Sequence, residues 1–154
     1  MTDYVTIQGV EVLSAGMAWN GLTGPYYVTA EHLAAMVAAQ DDPLIRAPRV
    51  KLGHLDPRFN GGLSSHDPAN LDADPAFGTL ANLRLTEGGA KLVADLIEVP
   101  KALAEAIPSA FPNRSAEWVW DYETAGENRY ATVLTDVALL GTRRPAVQDL
   151  ADIV

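Results

Sequence analysis

His54 is a residue whose side chain could take part in catalysis. It ends a short apolar segment and begins a long polar stretch. Histidine titrates near neutral pH, so His54 is a candidate general base. An ordinary surface histidine in a loop is the competing interpretation. The polar stretch also holds Asp56, His66 and Asp67, which together with His54 could supply nitrogen and oxygen ligands to a metal ion. Their spacing matches no established metal motif, so we expect no metal site.

Asp136 is the most telling residue on physical grounds, because it interrupts an apolar strand predicted at 129–141. Period two places three apolar residues on its own face of the strand, namely Leu134, Ala138 and Leu140. The opposite face is apolar as well, with Val133, Val137 and Leu139. A strand that is apolar on both faces is buried, and a buried carboxylate is costly unless it is paired. Asp136 therefore needs a partner: a histidine would form a catalytic pair, and an arginine a structural one.

Ser115 lies inside another predicted strand, 113–122. A lone serine in a strand usually carries out no chemistry, so its position is more informative than its type. Period two places Ser115, Glu117 and Val119 on one face. The other face carries Arg114, Ala116, Trp118 and Trp120. The face with the tryptophans is expected to pack, so Ser115 and Glu117 should face a cleft or solvent.

Arg143 and Arg144 follow Gly141 at the end of the strand that carries Asp136. One interpretation is a solvated basic turn on an acidic protein. The other is a turn whose backbone N–H groups and guanidinium groups stabilise an oxyanion. The residues by themselves leave both interpretations open.

The elements that must position these residues are mostly strands. Alternating or apolar patterns predict strands at 4–14, 48–52, 77–86, 90–98, 113–122 and 129–141. Helices are predicted at 30–40, 100–107 and 146–153, the first with Thr29 as its N-cap. The stretch from Gly16 to Pro25 is predicted as a loop, and 55–75 as a long functional or mobile loop. Since no regular βαβ alternation is present, the pattern favours an α+β fold with a mixed, mostly antiparallel sheet or small barrel.

Composition and charge limit the class of protein. The chain has 154 residues, 48% of them hydrophobic and 20% charged, which suits one globular domain. Acidic residues outnumber basic ones by 20 to 11, and the net charge of -9 argues against binding to nucleic acid or to an anionic membrane. No secretory signal or membrane-spanning stretch is apparent. The absence of cysteine excludes disulfides, thiolate metal sites and a cysteine nucleophile.

Short sequence blocks occur in an informative order along the chain. They read KLGH at Lys51–His54, GTLANLR at Gly78–Arg84, RSAE at Arg114–Glu117, and VALLG at Val137–Gly141 followed by Pro145–Val147. In this order and spacing they resemble the capsid maturation (prohead) proteases of phages, in particular the Mu-like protease–scaffold branch. The likeness covers residues 48–153 well and 5–40 more loosely.

The resemblance implies a serine endopeptidase and assigns roles to its residues. The nucleophile of that family falls on Ser115, and the general base falls on His54. Prohead proteases tend to carry an acid as the third member, which falls on Asp136. Glu117 is the alternative third member because it shares the face of Ser115. The resemblance implies neither a cofactor nor a metal ion.

The oxyanion group and the fold follow from the same resemblance. Arg143 and Arg144 match in position the arginine pair that serves the oxyanion in assemblin, the related herpesvirus protease. The family fold is a small, orthogonally packed, mostly antiparallel β-barrel surrounded by helices. We expect residues 1–154 to be a single protease domain, from which the C-terminal scaffold extension of Mu-like members is absent. The loop 55–75 is expected to be mobile and sensitive to proteolysis.

The resemblance also implies partners and a place of action. The substrates would be the scaffolding protein, the major capsid protein and the protease itself, cut inside the procapsid in the cytoplasm of the bacterial host. Because assemblins are activated by dimerisation, a homodimer is a further expectation. Two other classes stay open: a non-catalytic capsid-assembly or scaffold domain of the same fold, and a metal-dependent hydrolase built on His54 and His66.

Overall fold

The computed structural model describes residues 3–16, 18–21, 24–53, 75–142 and 147–153. These ranges contain eight strands and two α-helices. In chain order they are β1 (Tyr4–Ser14), β2 (Ala18–Gly21), β3 (Gly24–Tyr27), α1 (Ala30–Ala39), β4 (Arg49–Leu52), β5 (Thr79–Thr86), β6 (Lys91–Pro100), α2 (Lys101–Ala110), β7 (Asn113–Glu123) and β8 (Arg129–Leu140). His54, Arg143, Arg144 and the predicted loop at 55–75, apart from its last residue, lie outside the described residues.

Six strands form one mixed sheet in the order β1-β6-β5-β4-β8-β7. Neighbouring strands are antiparallel except β4 and β8, which are parallel. β2 and β3 form a separate two-stranded hairpin. The chain is therefore β-rich and of the predicted α+β class. The sheet is not closed into a barrel, however, so the predicted orthogonally packed barrel is not what forms.

The physical reason for the open sheet lies between its two edge strands, β1 and β7. Arg114 on β7 is only 4% exposed, and its Nε donates to the carbonyl of Glu11 on β1 at 2.6 Å. Its second guanidinium nitrogen, Nη2, donates to the carbonyl of Ala151 at 2.5 Å. A guanidinium and the segment 147–153 thus bridge the two edges where a closed barrel would have a backbone ladder. This segment has no regular secondary structure, so the helix predicted at 146–153 is wrong.

The predicted strands all form, with ends shifted by a few residues, and so do the first two predicted helices. Thr29 is the N-cap of α1 as predicted: its Oγ1 accepts from the backbone N–H of His32, whose Nδ1 accepts from the N–H of Thr29. The hairpin of β2 and β3 lies in the stretch predicted as loop. Its strands have four residues each, too few for side-chain alternation to mark them against glycine and proline.

The core fills one face of the sheet beneath the helices. Its fully buried side chains include Val12, Leu33, Met36, Leu92, Leu96, Ile107 and Leu139. A β-bulge in β8 decides which residues of that strand join it: Asp136 pairs with Glu117, but the next pair is Leu134 with Trp118. Because Thr135 is the extra residue, Leu134 turns into the core while Asp136 faces away. The prediction that Leu134 and Asp136 share a face is therefore wrong.

Neither described helix could cross a bilayer, since each has ten residues and a spanning helix needs about 20 apolar ones.

Replacing Arg114 with methionine tests its role as the bridge between the edges of the sheet. We expect Arg114→Met to lower the free energy of unfolding by about 3 kcal/mol, because the carbonyls of Glu11 and Ala151 lose a charged donor that is itself buried. Urea denaturation measures this change. The control is Arg84→Met, since the half-exposed Arg84 pairs with Asp95 at the surface and should contribute less than about 1 kcal/mol. Equal losses in both variants would contradict the bridging role.

Asp42 fastens the loop after α1 to the turn between β7 and β8. Its carboxylate accepts from the backbone N–H of Leu44 at 2.9 Å, the hydroxyl of Tyr130 at 2.8 Å and the amide of Asn128 at 3.2 Å. The bond from Leu44, and then those from Tyr130 and Asn128, hold the pKa of Asp42 below its ordinary value. Only the ionised form receives this stabilisation.

We expect Asp42→Asn to be less stable than the wild type at pH 7. Because the pKa of Asp42 is lowered in the folded state, the wild type has the full advantage above about pH 4 and loses it as the pH falls through that lowered pKa. Urea midpoints measured from pH 7 down to about pH 2.5, which is below the ordinary pKa of an aspartate, should therefore converge toward the acidic end. The control is Asp41→Asn at the exposed neighbouring position, which should leave the urea midpoint at pH 7 close to that of the wild type. A pH-independent gap for Asp42→Asn would contradict the assignment.

Candidate active site

Ser115 lies on the side of the sheet that faces away from the core. β7, β8 and β4 are neighbours, and residues paired directly across them share a face. Their register forms two rows on the outer side, Ser115–Ala138–Lys51 and Glu117–Asp136–Arg49. The two rows bring together a hydroxyl, two carboxylates and two cationic side chains from three strands that are far apart in sequence.

The alternation in β7 puts Ser115 on this face. Arg114 is buried on the core side, and Ala116 and Trp118 pack partly against the core. The prediction that Ser115 and Glu117 point away from the packed face is confirmed. Trp120 departs from the predicted packed set, because it is 46% exposed near the end of the edge strand.

Both carboxylates of the site are paired with cations. Lys51 Nζ lies 3.0 Å from Glu117 Oε1, and the two side chains are 10% and 27% exposed. Arg46 reaches Asp136 Oδ1 at 3.7 Å, but the Arg46 side chain is 65% exposed. The first pair is close and largely shielded, whereas water screens the second. Lys51 and Glu117 therefore form the firm part of the charge arrangement.

Asp136 is electrostatically strained. Burial raises the pKa of its carboxyl above the ordinary value, and the negative charge of Glu117 in the same row raises it further. Lys51 and Arg46 offset only part of this effect. The expectation that Asp136 needs a partner is consistent with this environment. Of the two partners left open by the sequence, an arginine is present as Arg46, and the histidine, His54, lies outside the described residues.

Ser115 and Asp136 are diagonal neighbours on the sheet, because Ser115 pairs with Ala138, two residues beyond Asp136. Such positions are about 7–8 Å apart. An imidazole between the two side chains would form one hydrogen bond of about 3 Å with the hydroxyl and another with the carboxylate. These two bonds and the width of the ring together span a distance of that size. Among the described side chains none forms a hydrogen bond with the Ser115 hydroxyl. The geometry can therefore accommodate a histidine between the hydroxyl and the carboxylate.

The strand that leads to His54 ends next to Ser115. After β4, the backbone N–H of Gly53 donates to the carbonyl of Leu139 at 2.9 Å, and Leu139 pairs with Arg114, the residue before Ser115. His54 is the next residue in the chain. The role of His54 as general base stays a prediction. The residue before it, Gly53, bonds Leu139, whose cross-strand partner Arg114 directly precedes the candidate nucleophile.

The other predicted site residues fall outside the described part of the chain. Arg143 and Arg144, the candidate oxyanion group, come directly after the last described residue of the turn, Thr142. The histidine and aspartate residues of the weak metal hypothesis also lie outside it: His54, Asp56, His66 and Asp67. Within the described ranges, no cluster of three or more His, Asp or Glu residues could hold a metal ion.

Sequence reasoning missed Lys51 and Arg46 as members of the site. A signal for Lys51 exists in RVKL, where Arg49 and Lys51 alternate with the apolar Val50 and Leu52. That pattern predicts a strand with one charged and one apolar face. No comparable signal exists for Arg46, because it lies in a loop and meets Asp136 only through the parallel pairing of β4 with β8.

A cavity of about 300 Å³ adjoins the charged rows at Arg46. It opens between α1, β5 and β8 on the N-terminal side of β4, where Pro48 has no N–H to continue the ladder with β5. Its apolar lining includes Met36, Leu80, Leu83 and Leu134. The amide of Gln40 stabilises the cavity wall by bonding both the N–H and the carbonyl of Leu83 at 2.8 Å. These four apolar residues belong to the core cluster, whereas Ser115 lies on the opposite face of the sheet.

Comparison with known proteins finds no matching family model, no matching curated protein and no matching solved structure. The interpretation of the site therefore depends on its own chemistry.

Asp136→Asn tests the electrostatic strain in the site. Because ionised Asp136 lies opposite Glu117, removing its charge should raise the free energy of unfolding at pH 7 by up to about 1 kcal/mol. An acid whose pKa is raised in the fold destabilises it most when fully ionised, so the gain should shrink as the pH falls through the range where Asp136 protonates. Urea titrations at several pH values measure it. Glu123→Gln on the exposed end of β7 is the control, and a loss of stability in Asp136→Asn would contradict the prediction.

Proposed function

We propose that this protein is a serine endopeptidase of the Ser-His-Asp type, in which Ser115 is the nucleophile, His54 the general base and Asp136 the third member. The observation that carries the proposal is the position of Ser115 on the outer face of the sheet, diagonal to Asp136 and beside the end of β4. Along the strands, Ser115 thus lies between Asp136 and the end of β4, from which the chain continues to His54.

In the proposed mechanism the Ser115 hydroxyl attacks the scissile carbonyl, and His54 takes its proton. The tetrahedral intermediate collapses when His54 donates that proton to the leaving amine. Water then hydrolyses the acyl-enzyme by the same route and frees Ser115. Asp136 orients the imidazole and stabilises its positive charge, which in turn favours the ionised form of the strained carboxylate.

The remaining groups of the site have supporting roles in this proposal. The turn that follows Gly141, with Arg143 and Arg144, would stabilise the tetrahedral oxyanion. Lys51 neutralises Glu117 and so limits the negative charge around Asp136. Glu117 is the alternative third member, because it is two residues from Ser115 on the same face. Its close ion pair with Lys51 makes it the less available carboxylate, which favours Asp136.

The proposed substrates are proteins of phage assembly: the scaffolding protein, the major capsid protein and the protease itself. The support for this choice is the likeness of the KLGH, RSAE and VALLG blocks to prohead proteases. Action inside the procapsid in the host cytoplasm and a homodimer belong to the same proposal.

A non-catalytic assembly domain is the second candidate, and a specific observation favours it. Both carboxylates next to Ser115 already have cationic partners, Lys51 and Arg46, as in a purely structural charge network. A domain that had lost catalysis would keep such a network, because it stabilises adjacent strands. Labelling of the serine separates the two candidates.

The test is reaction with a fluorophosphonate probe followed by intact-mass analysis. We expect one adduct on the wild type and none on Ser115→Ala or His54→Ala, because both the hydroxyl and its base are needed. Ser109→Ala, on the exposed end of α2, should label like the wild type. Asp136→Asn should label about 10⁴-fold more slowly, as expected for loss of a third triad member, whereas Glu117→Gln should stay close to the wild-type rate.

Each contrary outcome has a definite meaning. An adduct that persists in Ser115→Ala would overturn the assignment of the nucleophile. If Glu117→Gln is slow and Asp136→Asn is fast, Glu117 is the third member. A wild type that does not label even at concentrations that form dimers would favour the non-catalytic assembly domain.

A further inference from the structure

A groove at the edges of the sheet binds the last described segment of the chain. We call residues 147–153 the strap, and the groove that holds it, lined by Glu11, Ser14, Lys91 and Arg114, the strap groove. The groove lies between the edge strands β1 and β7, with Lys91 contributed by β6, the partner of β1. It is separate from the Ser115 site, which faces the other side of β7.

The groove binds the backbone of the strap at successive positions. Lys91 Nζ donates to the carbonyl of Asp149 at 2.7 Å, and Arg114 Nη2 donates to the carbonyl of Ala151 at 2.5 Å. The N–H of Ala151 donates to Glu11 Oε1 at 2.8 Å. Side chains of the groove thus replace the neighbouring strand that would normally satisfy these backbone groups.

The groove also recognises the side chain of Asp149. Its Oδ1 accepts from the Ser14 hydroxyl at 2.5 Å, and its Oδ2 lies 3.3 Å from Lys91 Nζ. Burial works against the charge, but the bonds from Ser14 and Lys91 together hold the pKa of Asp149 below its ordinary value. The groove therefore selects an ionised carboxylate at this position.

Apolar side chains of the strap fit the core at a regular spacing. Val147 is buried, and Leu150 and Ile153 pack partly against the core cluster. Asp152 adds a second negative charge near Arg114. The recognised pattern is therefore an aliphatic residue at every third position, with aspartates between them.

The charge of the groove matches the charge of its occupant. With the strap in place, Ser14, Lys91 and Arg114 are all buried, and Glu11 is the acidic side chain of the groove itself that faces the two cations. An occupant without carboxylates would leave two shielded cations with one acid between them, which is destabilising. In a chain with a net charge of -9, a buried pair of cations set against a single acid is a local exception that suits an acidic ligand.

We propose that the strap groove is a recognition site for linear acidic segments of other protein chains, with the pattern aliphatic-x-Asp-aliphatic-x-x-aliphatic. The strap fills the groove in cis, and a segment of the same chemistry on a partner protein binds when the strap leaves. The site does not depend on hydrolysis by Ser115.

The test uses the full chain and a fluorescein-labelled peptide with the sequence of residues 147–153, VQDLADI. Asp149→Ala weakens the strap from its own side and leaves the groove intact. Placing it in a Ser115→Ala background prevents cleavage of the peptide. Fluorescence anisotropy should show at least 10-fold tighter binding to this variant than to Ser115→Ala alone, about 1.4 kcal/mol, since the intact strap competes as a tethered ligand.

The peptide VQALADI is the matched control ligand and should bind at least about 10-fold more weakly than VQDLADI, because it lacks the carboxylate that Ser14 and Lys91 hold. Adding Lys91→Met to the weakened variant should abolish this preference. A folded weakened variant that binds neither peptide, or both equally, would overturn the proposal. Where Asp149→Ala does not fold, Asp149→Asn keeps the shape of the side chain and is judged by the same outcomes.

Discussion

The guanidinium of Arg114 is the interaction on which the rest of the structure depends. It bonds the carbonyls of Glu11 and Ala151 and so joins one edge of the sheet, through the strap, to the other. Because successive side chains of a strand point to opposite faces, holding Arg114 on the core side forces Ser115 to the outer side. One buried cation therefore links the two edges of the sheet and, together with Ala116 and Trp118 on the same side of β7, holds the candidate nucleophile on the outer face.

The charged side chains on the two sides of β7 differ in sign. On the outer side, Glu117 and Asp136 are adjacent carboxylates that Lys51 and Arg46 neutralise incompletely, which leaves the pKa of Asp136 raised. On the inner side, the buried cation of Arg114 donates to the carbonyls of Glu11 and Ala151. Adjacent like charges on the outer face lower the stability of the fold. Such an arrangement is typical of sites where chemistry or recognition takes place.

The strain at Asp136 connects stability with the proposed activity. Groups that a fold keeps at a cost in stability are often the ones that function requires. The proposed histidine would relieve that cost, since an imidazolium next to Asp136 favours its ionised form. In the proposed catalytic arrangement, the negative charge of Asp136 would thus stabilise the imidazolium of His54.

The sequence by itself determined the elements and the chemical character of their residues. Alternation and apolar runs predicted the six strands of the main sheet and helix α1, and alternation around the RSAE block predicted that Ser115 and Glu117 face away from the core, because these signals arise from neighbours along the chain. Only the tertiary structure decided which strands are adjacent, and with them the Lys51–Glu117 and Arg46–Asp136 pairs. It also decided the bulge at Thr135, which shifts Leu134 to the other face, and the irregular strap in place of the predicted helix. The physical reason is that register, bulges and the seating of an irregular segment depend on contacts between residues distant in sequence, such as Arg114 with Glu11, which no local pattern encodes.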